Sequence, residues 1–354
     1  MARWLTRDDL GAAAHSATGL LLVSPDVSSV FPMGPGDRTA ASELTAAALR
    51  ESGVGGRDRV VVALAEPAGA LWTDAATGVA QAAACVGPRG RMRLHHALSA
   101  LSATTLVSTP TGAMDFLARL HLEFLLDPLD LGLRNIVLTG EIASKRTLGH
   151  LAGEFGARVT EVYASPFGGG ALAWRAAEDD PLAPLADGLL GLAALTKDDA
   201  AAPEAGLAEL VITPHAHSAL GDAVLRTGQV ARTGDTPGIP APGHTVGDHV
   251  LVRGVWLALP RIEKALSKID GVAGWELSIS RQGTLDAAVL TVRFSRPSLV
   301  GNPMWKSRIE QSVRALTPVA IAVDIAKDVS ETAAPGTVND ARGHHLGRDR
   351  ALLT

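Results

Sequence analysis

The stretch EVYASPFGGG, residues 161–170, sets the only tyrosine of the 354-residue chain beside a proline and three consecutive glycines. Proline and glycine shape tight loops. The pattern therefore predicts a loop built around the ring of Tyr163. The plain alternative is a half-buried core tyrosine at a strand end, since tyrosine is commonly intermediate in burial.

Eleven histidines raise the possibility of a metal site, with the tightest groups at His95–His96, His344–His345 and the pair His215 and His217. Adjacent histidines on a helix do not share a face, and no carboxylate lies at the spacing of a zinc protease. We expect solvated loop histidines and no metal site.

A serine hydrolase is not indicated either. No Gly-x-Ser-x-Gly elbow occurs, and Ser165 lies between an alanine and a proline. His217, Ser218 and Asp222 form a triad by composition only. Cys85, the only cysteine, lies in the apolar stretch AAACVG, which excludes an internal disulfide and a cysteine zinc site and favours a buried, inert thiol.

Length and composition set the frame for these residues. At 354 residues, 47% hydrophobic and 19% charged, the chain predicts ordinary globular folding in two domains. A net charge of −5 gives no argument for nucleic acid or an anionic membrane as partner. The N-terminal apolar run GLLLV is too short for a signal sequence or a spanning helix, so we expect a cytoplasmic protein.

Short β-branched runs alternate with Ala/Leu-rich helical patterns through the first two thirds of the chain. This alternation predicts a layered α/β sheet with crossover helices. Thr39 or Ser42 is expected to start the first helix, and Gly53 and Gly156 to end helices in the left-handed conformation. The predicted strands are 19–24, 59–65, 104–109, 135–140, 158–164 and 208–214, and the predicted helices are 39–53, 93–102, 112–125 and 144–156.

The pattern changes after a Gly/Pro-rich linker at 233–247. Strand, helix, two strands, helix and strand then follow, which predicts a small α+β domain. The polar segment after 331 is expected to be loose. The predicted division is a large α/β domain at 1–243, a small domain at 244–331 and a tail at 332–354.

In their order, the stretches around TGE (139–141), EVYASPFGGG, LRTGQVAR (225–232) and HVLVRGVWLALPRIEKAL (249–266) resemble the phenylacetate–CoA ligase branch of the adenylate-forming enzymes. The resemblance implies a large layered α/β N-terminal domain, a small mobile α+β C-terminal domain and a cleft between them. It also implies that the family's helical N-terminal portion is largely missing. In this family ATP and a carboxylic acid form an acyl-adenylate, which a thiol then attacks.

The family's phosphate loop corresponds by order to SSVFPMGPGDRT, residues 28–39. A phosphate cradle needs small residues, backbone N–H groups and hydroxyls. Ser28 and Ser29 could supply hydroxyls and Arg38 a charge, but Phe31 is bulky and Pro32 has no N–H to donate.

The family's Tyr-Gly-x-(Ser/Thr)-Glu segment stacks adenine and holds magnesium. By resemblance Tyr163 is the stacking platform and Ala164 and Ser165 follow it, while Phe167 takes the position of the metal-binding glutamate. A phenylalanine cannot coordinate magnesium, which requires oxygen ligands.

Two further motifs complete the comparison. The Arg-Thr-Gly-Asp motif, whose Asp grips ribose, corresponds to Arg226 through Gln229; a register slip would offer Asp235 instead. The family's C-terminal Gly-Lys segment corresponds to a tail without lysine, where Arg342 or Arg348 could stand in. Further residues assigned by resemblance are Gly140 and Glu141 for the cofactor and Trp72, Thr109, Phe116, Phe167 and Gly168 for the substrate pocket.

The sequence therefore predicts a degenerate adenylate-forming protein of a specialised-metabolite pathway, with ATP-dependent activation impaired or lost. Its expected ligand is an aromatic or other carboxylate-derived small molecule, as acid, acyl-adenylate or thioester, with CoA, a carrier protein or a second copy as possible partners. One alternative is an active carboxylate–CoA or carboxylate–AMP ligase with atypical residues, which would require ATP or AMP and magnesium. Another is a non-catalytic subunit of a competent ligase.

Overall fold

The computed structural model describes residues 3–198, 205–234 and 237–353. The chain divides into two compact units. The larger unit comprises Met1–Ser24, Ser29–Gly243 and Leu353–Thr354, and the smaller comprises Pro25–Ser28 and His244–Leu352.

The larger unit combines strands and helices along most of its length. Its strands are β1 (Trp4–Leu5), β2 (Leu20–Val23), β3 (Val30–Met33), β4 (Arg59–Ala63), β5 (Ala82–Cys85), β6 (Thr105–Ser108), β7 (Asn135–Thr139), β8 (Arg158–Ala164), β9 (Ala171–Arg175), β10 (Ala183–Pro184), β11 (Leu190–Ala193), β12 (Gly206–Ile212) and β13 (Val224–Thr233). Its α-helices are α1 (Leu10–His15), α2 (Pro35–Glu51), α3 (Ala68–Thr77), α4 (Arg91–Ala100), α5 (Pro110–Arg119) and α6 (Thr147–Phe155). A π-helix, Leu120–Phe124, and a 3-10 helix, Pro128–Leu131, follow α5.

The main sheet has the order β10-β9-β8-β7-β6-β4-β5; strands β4 to β8 pair in parallel, and β9 and β10 are added by antiparallel pairing. Leu98, Phe116 and Leu151 of α4, α5 and α6 pack on one face. Leu49 of α2 and Trp72 of α3 pack on the other. Because helices cover both faces, every residue of β6 and β7 is buried. The predicted layered α/β fold is confirmed.

A second sheet, in the order β1-β13-β12-β11, encloses another core. Leu210 and Leu225 of this sheet share that core with Leu10 of α1, with Phe31 of the β2–β3 hairpin and with Tyr163 at the end of β8. The two sheets therefore meet around the tyrosine that the sequence singles out.

The predicted phosphate loop at 28–39 adopts regular structure instead. β3 pairs antiparallel with β2, and α2 begins at Pro35 rather than at Thr39 or Ser42. Proline favours the first helical position, and the carboxylate of Asp37 accepts the N–H of Gly34 at 2.7 Å. These two signals set the earlier start.

Other local predictions can be checked directly. Gly53 and Gly156 follow α2 and α6 with φ of 89° and 60°, which confirms the left-handed helix ends. The sequence predicts that Cys85 is buried, and this is wrong. Cys85 is exposed because it ends β5, an edge strand of the main sheet.

The smaller unit has the predicted α+β pattern. Its elements are β14 (His244–Thr245), β15 (His249–Val252), β16 (Val255–Ala258), α7 (Leu259–Leu266), β17 (Val272–Gln282), β18 (Leu285–Phe294), α8 (Pro297–Val300), α9 (Pro303–Arg314), β19 (Ile321–Ile325), β20 (Thr337–Asp340) and the 3-10 helix Arg350–Leu353. Its main sheet has the order β19-β18-β17-β20. Leu277 and Leu290 of that sheet share one core with Ile262 of α7 and Ile309 of α9.

The tail was predicted to be loose, yet it contributes β20, which runs parallel to β17. Arg342 explains the difference. Its guanidinium, 3% exposed, is paired with the carboxylates of Asp286 and Asp340 and donates to the carbonyl of Leu251 at 2.9 Å. In the sequence these charged residues resemble solvated surface residues. In the structure they are buried together as ion pairs.

Among the described residues, no helix has the length and apolar character needed to cross a membrane.

Replacing Arg342 by methionine should strongly destabilise the smaller unit. The change leaves two carboxylates buried without their cation, which typically costs about 3–5 kcal/mol. Chemical denaturation measures the loss of stability, and hydrogen exchange at residues 337–340 shows whether β20 is affected. Arg314→Met is the matched control: Arg314 pairs with Glu310 at 3.8 Å with its side chain 77% exposed, so the loss should stay below about 1 kcal/mol. Equal losses in the two variants would contradict the assignment.

Acid should release the tail. Burial by itself would raise the pKa of Asp340, but the hydrogen bonds and charge of Arg342 outweigh burial and hold that pKa below its ordinary value. The stabilisation by ionised Asp340 is therefore complete above the ordinary pKa of an aspartate. It is lost as the pH falls below about 4 and passes through the lower pKa that Asp340 has in the folded protein. Hydrogen-exchange protection of β20 at pH 7, 5 and 3 tests this. Asp340→Asn should show a smaller acid-dependent loss; an identical pH profile would refute the role of Asp340.

Candidate functional site

Tyr163 lies at the end of β8, where the two sheets of the larger unit meet. Its side chain is 6% exposed, and its hydroxyl donates to Oε1 of Gln229 at 2.8 Å. Burial raises the pKa of the Tyr163 hydroxyl, so it remains a protonated donor. The two residues assigned by resemblance to adenine and ribose are thus bonded to each other.

The turn after Tyr163 is closed by its own hydrogen bonds. The hydroxyl of Ser165 accepts the N–H groups of Phe167 and Gly168, each at 3.3 Å, and the Ser165 N–H donates to the carbonyl of Gly170 at 2.8 Å. The indole of Trp72 fixes the turn from α3 by donating to the carbonyl of Gly169 at 2.9 Å. Ser165, next to the half-buried Ala164, therefore has its hydroxyl engaged inside the turn.

Aromatic rings fill the space beside this turn. Phe31 and Phe167 are buried and stack with centroids 6.0 Å apart and an interplanar angle of 17°. A Cβ on Gly168 would lie 3.2 Å from the Phe31 ring, so a larger residue at this position would require the ring to shift by a few tenths of an ångström. We call Phe31, Phe167 and Tyr163, which share one core, the aromatic cluster.

Arg7 covers the aromatic cluster from the N-terminal segment. Its guanidinium lies 4.9 Å from the centroid of the Phe167 ring, within the range of a cation–π contact. Nη1 donates to the carbonyl of Pro166 at 3.2 Å and to the hydroxyl of Ser29 at 3.4 Å. One of the two candidate phosphate-binding hydroxyls is therefore engaged by the chain itself.

Asp37 ties the start of α2 to the loop that precedes β13. Besides the Gly34 N–H, its carboxylate accepts the Ser218 N–H at 3.1 Å and the Ser218 hydroxyl. Burial alone would raise the pKa of Asp37, but these hydrogen bonds bring it below its ordinary value. Arg38, the next residue, is exposed, and Ser28 donates its N–H to Asp26 at 3.2 Å.

His217 belongs to the same junction but does not form a hydrolytic triad. Its Nδ1 accepts the N–H groups of Ala219 and Leu220 at 3.2 and 3.3 Å, and burial lowers its pKa, so the ring is neutral at pH 7. The Ser218 hydroxyl donates to Asp37 and not to the imidazole. A serine nucleophile requires a base that accepts its proton, which His217 does not do here.

The segment Arg226 to Gln229 lies in β13 and is committed to its neighbours. Arg226 pairs with Glu209 at 2.7 Å, and both side chains are buried. Glu209 also accepts the Gly228 N–H at 2.8 Å, and Gly228 has a φ of 72°. Asp235, the alternative ribose ligand, lies outside the described residues.

The residues that follow β6 and β7 at their carboxyl ends are only partly buried. Glu141 is half-buried and accepts both the N–H and the hydroxyl of Thr111 at 2.9 Å. Thr109, also half-buried, caps α5 by accepting the Gly112 N–H at 3.1 Å. Gly140 between them is exposed. Ligands of parallel sheets bind at this end of the strands.

The remaining pocket candidates, Trp72 and Phe116, are each 0% exposed. Trp72 packs between α2 and the main sheet, and Phe116 stacks at 6.3 Å on Phe155 beneath α5. In the smaller unit Arg342 is buried against its carboxylates, and Arg348 bonds to Asp248 at 2.7 Å. Over the described ranges, no three His, Cys, Asp or Glu side chains converge as a metal site does.

Sequence reasoning missed Arg7 and the role of Asp37. Nothing local marks Arg7, because the residues that it covers, Pro166 and Phe167, lie about 160 positions away in the sequence. The role of Asp37 is indicated in the sequence, because Asp37 is an acidic residue two positions after a proline that can begin a helix.

No protein-family model matches the chain, and no curated protein matches its sequence. Solved structures do match. A 2-hydroxyisobutyryl-CoA ligase in complex with 2-HIB-AMP and CoA, in the thioesterification state, aligns with a TM-score of 0.77 at 17% identity, over 96% of this chain and 80% of that chain.

The amide bond synthetase McbA from Marinactinospora thermotolerans aligns with a TM-score of 0.65 at 16% identity, over 88% of this chain and 65% of that chain. A double mutant of the o-succinylbenzoate CoA synthetase MenE from Bacillus subtilis, bound with its product analogue OSB-NCoA, gives 0.65 at 14%, over 90% and 68%. The chain has the fold of the adenylate-forming ligases.

Within this ligase fold, the residues at the positions assigned to ATP do not fit a magnesium-bound triphosphate. Phe167 offers no oxygen to a hard cation. Neither Phe31 nor Pro32 has a hydroxyl that could donate to phosphate oxygens. Pro32 also lacks a backbone N–H. The amide oxygen of Gln229 already accepts the hydrogen bond from the Tyr163 hydroxyl.

Removing the Tyr163 hydroxyl should destabilise the larger unit. Tyr163→Phe leaves the buried amide oxygen of Gln229 without its donor, at a cost of about 1–3 kcal/mol. Chemical denaturation measures the change. The double variant Tyr163→Phe/Gln229→Leu removes both partners and should recover part of the loss. If the two single changes simply add, the hydrogen bond is not the stabilising contact.

Proposed function

We propose that this protein keeps the ligase fold but does not activate carboxylic acids with ATP. The observation that supports the proposal is the stacking of Phe31 on Phe167, because the resemblance assigns these two positions to contacts with phosphate and magnesium. An adenylating enzyme stabilises developing charge with preorganised donors and a metal ion. Two phenyl rings supply neither.

Rearrangement of the aromatic cluster does not readily restore such a site. Exposing one buried phenylalanine costs about 1.5–3 kcal/mol. Phe31 and Phe167 pack on each other, and Arg7 and the turn bonds of Ser165 hold Phe167 in place. Each missing electrostatic contact to a transition state is worth about 3–4 kcal/mol, although such losses are not additive. Opening of the aromatic cluster and adenylation of an acid at the opened site are therefore both unfavourable.

We further propose that the protein binds a carboxylate-derived small molecule, an acid or a thioester, in a specialised-metabolite pathway. Thr109, Gly140 and Glu141 support this, because they are half-buried or exposed at the carboxyl ends of β6 and β7, the end at which parallel sheets bind ligands. The ligase and synthetase with matching folds are described with CoA and OSB-NCoA, which makes CoA thioesters the first ligands to test.

Mixing the protein with ATP, magnesium, CoA and a panel of aryl acids should release no pyrophosphate, and calorimetry should detect no ATP binding. Thermal-shift measurements with acids and their CoA thioesters should raise the unfolding temperature for at least one compound, because a ligand that binds only the folded state stabilises it. Turnover on the order of 1 s⁻¹ or faster would overturn the loss of activation.

The two halves of the proposal fail separately. ATP binding that Tyr163→Ala abolishes would restore the ligase alternative. No stabilisation by any acid or thioester would remove the ligand half and leave the loss of ATP activation standing.

A further inference from the structure

A groove lies between α2 and α3 at the surface of the larger unit, and its volume is about 270 Å³. Pockets for drug-sized ligands span about 300–1,000 Å³, so this groove has room for a smaller molecule. We call it the helix groove. Half of its lining comes from α2 and half from α3 with the glycine that follows it: Ser42, Glu43, Ala46 and Arg50, and Asp74, Ala75, Thr77 and Gly78.

The helix groove has an apolar floor and charged walls. Ala46 and Ala75 are buried, and their methyl groups leave a ligand room to approach both helices. Glu43, Arg50 and Asp74 are exposed at the sides. Along α2 the acid, the alanine and the base are spaced at i, i+3 and i+7, so they lie on one face of the helix. The sequence of α2 therefore sets a negative group, a methyl group and a positive group in one row.

These three charged side chains do not neutralise one another. Within the part of the chain that the structure describes, Glu43, Arg50 and Asp74 form no ion pair and no side-chain hydrogen bond. Ion pairs along a helix join residues three or four positions apart. Seven positions separate Glu43 from Arg50, which is about 10 Å along the helix axis. The helix groove therefore keeps separate negative and positive groups that a ligand can reach.

Ser42 adds an unengaged hydroxyl to the helix groove. A serine or threonine inside a helix commonly donates to a carbonyl of the preceding turn. The other four hydroxyls of α2 and α3 each donate to a carbonyl of their own helix: Thr39, Thr45, Thr73 and Thr77. The hydroxyl of Ser42 has no such partner among the described residues, and it lines the helix groove. It is therefore available to a bound molecule.

From this arrangement we propose that the helix groove binds a small zwitterion whose ammonium and carboxylate groups are joined by a flexible hydrocarbon chain, such as an ω-amino acid. Two carboxylates and the C-terminal end of α3, which carries partial negative charge, favour the ammonium group. The guanidinium of Arg50 suits the carboxylate, because it donates charge-assisted hydrogen bonds. The hydrocarbon chain would lie on the two alanines. A molecule that carries both charges on one carbon would not reach both ends.

The helix groove is separate from the candidate functional site. α3 runs from the carboxyl end of β4 to the amino end of β5, so its last residues lie at the amino edge of the main sheet. Thr109 and Glu141 follow strands at the opposite, carboxyl edge. The proposal therefore does not depend on whether the protein binds ATP or an acyl ligand.

Calorimetric titration of the full chain with 6-aminohexanoate tests the proposal, with hexylamine and hexanoate as probes that each lack one charge. The zwitterion should bind with a Kd on the order of 1 mM or tighter, and each singly charged probe at least tenfold more weakly. Arg50→Met and the double variant Glu43→Gln/Asp74→Asn should each weaken binding of the zwitterion at least tenfold. Because these side chains are exposed, the unfolding temperature should not change. Arg57→Met is the matched control, since Arg57 is exposed nearby but does not line the helix groove.

Three outcomes would overturn the proposal. The first is that 6-aminohexanoate does not bind, or binds no more tightly than hexylamine or hexanoate. The second is unchanged affinity in Arg50→Met or in the double variant, which would place the molecule elsewhere. The third is an equal loss in Arg57→Met, since the effect would then come from the net charge of the protein and not from the helix groove.

Discussion

The packing of Phe31 on Phe167 is the contact on which the character of the candidate site depends. It joins the β2–β3 hairpin to the turn after β8, with Arg7 over one ring and Tyr163 in the same core. Packing in a protein interior tolerates few voids. At the positions that the resemblance assigns to a nucleotide, the chain therefore has packed hydrocarbon side chains.

Hydrogen bonds around the aromatic cluster make this arrangement specific. The Tyr163 hydroxyl needs an acceptor when buried, and Gln229 supplies it. Asp37 holds the start of α2 against Ser218, so the hairpin that carries Phe31 is anchored at its far end. A glutamine suits this role better than an ionised aspartate, because a buried carboxylate would need a cation or further donors. The substitutions in separate motifs therefore support one another in space.

The loop positions that the resemblance assigns to a nucleotide can differ without disturbing the ligase fold. The cores above and below the main sheet consist mainly of helix and strand residues and make no use of the polar loop positions. The loops at the carboxyl ends of the strands can change while those layers stay.

The sequence by itself determined the alternation of strands and helices, the helix ends at Gly53 and Gly156, and the absence of oxygen ligands at positions such as Phe167, since these follow from local pattern and side-chain chemistry. Only the tertiary structure decided that Tyr163 bonds Gln229, that Arg7 covers Phe167, and that Arg342 fixes the tail to Asp286. It also decided that Cys85 is exposed. These contacts join residues tens to more than a hundred positions apart, and no local periodicity encodes which distant partner will neutralise a charge or fill a space.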